Sequence, residues 1–172
     1  VGVLQTRKNT INAIRAVASL PPRYQLVLVG GDGYGSGAIH EFIRTERLES
    51  RVTRLGHVRV DQLKALYDSA SVLLFPSFEE GFGLPVLEAM AHGLPVVASN
   101  TSALPEVGGD APLYVDPHDP RDIAERVRQA VEDQPLRAAM IERGLARARQ
   151  FTWRRTAQET CALYDEVLAH RG

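Results

Sequence analysis

The stretch Ser71-Val72-Leu73-Leu74-Phe75-Pro76-Ser77-Phe78-Glu79-Glu80-Gly81-Phe82-Gly83-Leu84-Pro85-Val86-Leu87-Glu88-Ala89-Met90 changes character twice in twenty residues. Ser71–Phe75 is an apolar run closed by Pro76-Ser77, which reads as a strand buried on both faces. A loop with two glycines follows. Leu84-Pro85 then opens a helix to about Ala91, with proline in its first turn. A buried strand that leads through a glycine loop into a helix is the repeating unit of a parallel sheet with helical crossovers.

The alternation continues outward on both sides. Toward the amino end, Val52–Leu55 reads as a strand ending at Gly56, and Asp61 is expected to cap a helix over Gln62–Ala70. Before these come a strand at Gln25–Val29, the glycine-rich loop Gly30–Gly37 and a helix to about Leu48. Thr10 to Leu20 reads as a helix with Ile11, Ile14 and Val17 on one face, stopped by Pro21-Pro22. Toward the carboxyl end lie strands at Leu94–Ala98 and Leu113–Val115. Asp119-Pro120 then supplies an N-cap and a first-turn proline, and the rest reads as helix. The predicted fold is α/β, a Rossmann-like parallel sheet with helices on both faces and a helical carboxyl-terminal extension. Residues 1–150 would form the sheet domain and 151–172 a terminal helix. Ligands of such folds bind beyond the carboxyl ends of the strands. The informative loops are therefore those after Leu4, Val29, Leu55, Phe75 and Ala98.

The loop after Phe75 is richest in chemistry. Gly81 and Gly83 allow a tight turn and a close approach of backbone to ligand. The N–H groups around Gly83 lie at the positive end of a helix, a ready site for a diphosphate. Carboxylates repel phosphate, so Glu80 and Glu88 are suited instead to accepting hydrogen bonds from sugar hydroxyls. Phosphate donors flanked by hydroxyl acceptors match the polarity of a sugar nucleotide. The competing reading is a plain strand–turn–helix junction with Glu88 a solvated helix residue. It accounts for each residue singly better than for the whole string.

Composition narrows the rest. With 44% apolar and 24% charged residues, the 172-residue chain can bury a core and is not disordered. A formal net charge of −1 removes the general electrostatic case for nucleic acid or an anionic membrane. The single cysteine, Cys161, rules out an intrachain disulfide and suits a reducing compartment. Cys161 shares a helical face with Trp153, Ala157, Tyr164 and Leu168, so it is expected in the core. No signal peptide opens the chain and no apolar run approaches the roughly 20 residues of a membrane span. A cytoplasmic domain without membrane contact is expected. The five histidines show no metal-ligand spacing.

Glu80 through Glu88 resembles the E-x7-E motif of retaining glycosyltransferases of family four (group 1), which have the two-domain GT-B fold. Ala89-Met90-Ala91-His92-Gly93-Leu94-Pro95-Val96-Val97-Ala98-Ser99, Ser102-Ala103-Leu104-Pro105-Glu106-Val107 and Phe151-Thr152-Trp153 are similar to the same family. The resemblance covers nearly the whole chain and points to the carboxyl-terminal, donor-binding domain. It implies an acceptor-binding amino-terminal domain ahead of residue 1. Val1-Gly2-Val3-Leu4-Gln5, which reads as the tail of a strand, agrees with that expectation.

The resemblance also implies roles. Glu88 would bind the ribose hydroxyls and Glu80 the donor sugar. The N–H groups around Gly81, and those of Phe82, Gly83 and Leu84, would face the diphosphate. Arg7 and Lys8 would neutralise charge on the departing nucleotide; the chain has only two lysines, Lys8 and Lys64, so Lys8 is no part of a lysine-rich surface. Family members often carry arginine where this chain has Val3, so the clamp would rest on Arg7 and Lys8. Backbone groups of Val58 would read the base, although Gly56–Arg59 also suits a simple connection. The implied reaction is metal-independent hexosyl transfer with retention, without a cofactor, to a glycan or lipid-linked acceptor. The Arg7-Lys8-Asn9 variant resembles mannose-transferring members, which favours GDP-mannose and leaves a UDP-sugar open. Two alternatives remain. Gly33-Tyr34-Gly35-Ser36-Gly37-Ala38 fits a dinucleotide fingerprint of an oxidoreductase, but Leu55-Gly56-His57 stands where its acidic residue belongs. The other alternative is a nucleotide-sugar-binding module that has lost activity.

Overall fold

A computed structural model describes residues 1–169. After a single 3-10 turn at Thr6–Lys8, the chain alternates α1 (Thr10–Ser19), β1 (Leu26–Val29), α2 (Ser36–Thr45), β2 (Val52–Gly56), α3 (Val60–Ser69), β3 (Leu73–Phe75) and α4 (Leu84–Ala91). There follow β4 (Val96–Ser99), α5 (Leu104–Gly108), β5 (Leu113–Val115), α6 (Pro120–Glu132), α7 (Gln134–Ala148) and α8 (Trp153–Ala169). The expected α/β architecture is present. Every strand pair is parallel, with β1 beside β2 and β3–β4–β5 in that order.

Strand β4 shows why helices must cover both faces. Its residues are all buried, and alternate side chains enter opposite cores. Val96 and Ala98 join Phe75, Val86, Met90 and Leu104 on the α4–α5 side. Val97 joins Ala16, Val115, Ile123, Val127 and Met140 on the α1–α6–α7 side. A third cluster, Leu4, Ile14, Leu28, Ile39, Ile43 and Val52, covers β1 and β2.

The strands divide into a pair and a triplet. The extended opening segment lies against the end of β1, with Gly2 N–H donating to Val29 O at 2.8 Å and Leu4 N–H to Gly31 O at 2.9 Å. Between β1 and β3 is a cavity of about 530 Å³, lined by Leu26, Val27, Leu73 and Leu74 among others and reached by Val1.

Two sequence expectations change. Asp61 does not cap its helix: α3 begins at Val60 with Arg59 as N-cap, and the Gln62 side chain accepts the Arg59 N–H at 3.0 Å. Asp61 instead sits in the first turn, paired with Arg59 at 2.7 Å. Cys161 is exposed rather than in the core, because α8 buries none of its residues and Trp153 is 85% exposed. The periodic face exists, but no described element packs on it.

Candidate active site

The residues that converge beyond β3 come from three separate stretches. The 3-10 turn holds Arg7 and Lys8 and ends on Asn9, which adopts a left-handed φ of 55°. Asparagine tolerates that conformation better than most residues. Its buried side-chain amide donates to Pro76 O at 2.9 Å and Pro117 O at 2.6 Å, pinning the turn to the ends of β3 and β5. Arg7 O in turn accepts the Phe78 N–H at 2.8 Å. The basic turn is thus bound to the glycine loop by backbone, independently of any side-chain charge.

Charge then completes the junction. Lys8 Nζ lies 2.6 Å from Glu80 Oε1, and Arg7 Nη1 lies 3.1 Å from Oε2. Arg7 Nη1 also donates to Glu79 O at 2.9 Å. The Glu80 side chain is 7% exposed and that of Lys8 15%, while Arg7 is 47% exposed. Lys8 also sits 4.7 Å from the centroid of the Phe75 ring. Burial pushes the Glu80 carboxyl up, but hydrogen bonds from Lys8 and Arg7 outweigh it and hold the group below the ordinary glutamate value. Lys8 is therefore the more buried partner of Glu80 and Arg7 the more exposed one.

The loop between Glu80 and α4 is held from behind. Ser102, itself at a left-handed φ of 54°, accepts the Glu80 N–H on its hydroxyl at 3.0 Å, and Thr101 donates to Phe78 O at 3.1 Å. Gly83 is the N-cap of α4 with φ 99°, and a Cβ there would stand 2.5 Å from Leu104 Cδ2. The glycine is required by the fold. Gly81 differs: a Cβ added there would meet nothing within 4 Å. Its lack of a side chain has no intramolecular explanation. Phe82 is partly exposed and meets Phe151 edge-on at 5.9 Å between centroids, tying the carboxyl-terminal extension to the loop. Leu84 is 53% exposed at the first turn of α4, whose leading N–H groups have no intrahelical acceptor.

Glu88 stands further along α4, exposed, and accepts a hydrogen bond from Tyr67 at 2.8 Å. Val58 is half-buried in the β2–α3 connection, also beyond a strand's carboxyl end. Among the described residues, no hydrogen bond joins Val58 to the Arg7–Lys8–Glu80 cluster. His92 stacks on Tyr67 and bonds Asp68 at 2.7 Å, a structural role. Two glycines of the Gly33–Gly37 loop are explained internally, while Gly37 has open space around it: a Cβ at Gly33 would meet Val3 at 2.6 Å, and one at Gly35 would strike the Thr6 hydroxyl. Its fingerprint reflects close packing on the opening segment. Among the described residues, no group of three or more His, Cys, Asp or Glu could hold a metal ion. No described helix is long and apolar enough to cross a membrane.

Sequence reasoning singled out Arg7, Lys8, Glu80 and Glu88 but missed the pairing of the cations with Glu80. It named Asn9 and Ser102 only within motifs, without a role of their own, and did not name Tyr67. Asn9 had a signal, an asparagine between a basic turn and a helix, where left-handed backbone is common.

A parallel sheet covered on both faces, with basic, acidic and glycine elements gathered beyond its strand ends, is the arrangement that the resemblance implies for one half of a GT-B glycosyltransferase. The profile described as glycosyl transferases group 1 matches residues 1–147, and the chain belongs to that family. It is 39% identical over 168 residues to O-antigen chain mannosyltransferase B of Escherichia coli, covering 95% of this chain and 44% of that protein. It is 37% identical over 191 residues to D-inositol 3-phosphate glycosyltransferase of Corynebacterium jeikeium (strain K411), covering 100% of this chain and 44% of that protein. Among solved structures, Anabaena Alr3699/HepE in complex with UDP and glucose superposes with a TM-score of 0.85 at 26% identity, over 96% of this chain and 47% of that one. The chain spans less than half the length of the curated relatives it matches.

Proposed function

We propose that this chain is the donor-binding, carboxyl-terminal half of a retaining glycosyltransferase that moves a hexose from a nucleoside-diphosphate sugar to a glycan or lipid-linked acceptor. The observation that carries the reading is the convergence of Arg7, Lys8 and Glu80 at the loop that leads into α4. Departure of a nucleoside diphosphate requires stabilisation of developing negative charge. Arg7 and Lys8 supply cations, and the first turn of α4, with the amides around Gly81 and those of Phe82, Gly83 and Leu84, supplies N–H donors. Glu80, already accepting from both cations, keeps lone pairs for a sugar hydroxyl and positions the donor rather than attacking it. Glu88 accepts the ribose hydroxyls, and Val58 contacts the base.

Mannose is the sugar we favour, as GDP-mannose, supported by the likeness to a mannosyltransferase. The UDP complex of a structural neighbour supports a uridine nucleotide as the competing donor. The acceptor belongs to an amino-terminal domain outside these residues, consistent with the length of the relatives, and the site works in the cytoplasm without divalent metal. Calorimetry with GDP and UDP, with and without EDTA, tests the site. Binding of one diphosphate unchanged by chelator is expected. Binding that vanishes with EDTA would overturn the metal-free clamp.

A further inference from the structure

An exposed glutamate on a helix ordinarily samples many rotamers and loses that freedom on binding a ligand. Glu88 is exposed but restrained, because the Tyr67 hydroxyl donates to its Oε2 at 2.8 Å. Tyr67 comes from α3, is 5% exposed, and is fixed in turn. Its ring stacks on His92 with centroids 5.5 Å apart, and His92 Nδ1 lies 2.7 Å from Asp68 Oδ1. Asp68 also bonds Lys64 Nζ at 2.7 Å. The network ties α3 to the carboxyl end of α4 on both sides of the phenol. Burial, then the bond and charge of Glu88, push the phenol well above its ordinary value, so it remains a donor throughout the neutral range.

We propose that Tyr67 is a positioning residue for the nucleotide, holding the Glu88 carboxylate by Oε2 and leaving Oε1 and a second lone pair of Oε2 for two ribose hydroxyls. The inference rests on the reading of Glu88 as the ribose acceptor. A carboxylate has about four acceptor sites, so one phenol leaves enough for a diol. Support of a ligand-binding group by a packed neighbour lowers the ordering cost of binding. Among the described residues, the Tyr67 hydroxyl donates to Glu88, while the ring face stacks on His92.

The test compares affinities for a nucleoside diphosphate, GDP or UDP, whichever binds the chain more tightly, and for its 2′,3′-dideoxy counterpart, which lacks both hydroxyls. The unaltered chain should prefer the ribonucleotide by roughly ten-fold, the worth of a hydrogen bond to a charged acceptor. Glu88→Ala should abolish the preference. Tyr67→Phe should reduce it by roughly three- to ten-fold and leave the dideoxy affinity within about two-fold. In the Glu88→Ala background, Tyr67→Phe should then change neither affinity. A preference that survives Glu88→Ala would overturn the ribose assignment itself. If Glu88→Ala abolishes the preference and Tyr67→Phe leaves it intact, the positioning role alone fails. Equal loss for both nucleotides in Tyr67→Phe would also overturn that role, since it would make Tyr67 merely a packing residue.

Discussion

Glu80 sits between two cations that lie 72 or more residues away in sequence, and both of its oxygens are engaged without any ligand. Its folded-state carboxyl titrates below the ordinary 4.5, so the ion cluster stabilises the fold above that value and loses its contribution as pH falls through the depressed folded value. Glu80→Gln should therefore lower stability by about 1–3 kcal/mol at neutral pH, and the gap to the unaltered chain should close in acid. Urea denaturation of both proteins across pH 3–8 measures this; a gap that is constant with pH would refute the cluster. The two cations should also separate. Lys8→Ala removes a mostly buried partner of Glu80 and should cost stability as well as nucleotide affinity. Arg7→Ala removes a half-exposed group, so melting temperature should scarcely move while diphosphate binding weakens. Parallel melting and calorimetry of the two variants decide whether their roles differ. The residue types were legible in the sequence, but the pairing was not, since no local pattern relates residue 8 to residue 80.

At the scale of elements, helix α4 and strand β5 fall where periodicity and proline placed them, because apolar runs and a first-turn proline are local causes. Capping was harder to read. Asp61 has the usual capping side chain, yet the reach of Gln62 back to Arg59 starts α3 earlier. The loop glycines show a similar divide. Gly83 is required by its own backbone and by Leu104, whereas Gly81 has open space around it. Gly83→Ala should therefore destabilise the chain by more than about 2 kcal/mol, combining left-handed strain with a clash. Gly81→Ala should leave stability within about 0.5 kcal/mol and weaken nucleoside diphosphate binding, because the added methyl occupies the face proposed for the ligand. Denaturation and titration of both variants check this; full affinity in Gly81→Ala would remove that face from the site. The same divide accounts for Cys161. Its helical face was legible as periodicity, but which element covers a face is a tertiary fact, and here none of the described ones does.

For the whole molecule, three features concern surfaces that this chain leaves to others. The exposed stripe of α8, with Trp153, Tyr164 and Leu168, has the composition of a packed face. Between β1 and β3 lies an apolar cavity reached by Val1. On the proposed reading, the candidate site gathers donors for phosphate and acceptors for sugar on one side only, open where water would be excluded during transfer. The proposed reading gives that cover to the additional length seen in relatives more than twice as long as this chain. The expected outcome is that residues 1–172 bind the nucleoside-diphosphate sugar but transfer nothing to an acceptor. A longer version carrying an upstream acceptor domain should transfer sugar faster by several orders of magnitude. Single-turnover assays on both proteins, with the donor chosen by thermal shift, make the comparison. Transfer by the short chain at the rate of the long one would mean that an acceptor site exists within these residues, and the half-enzyme reading would fall.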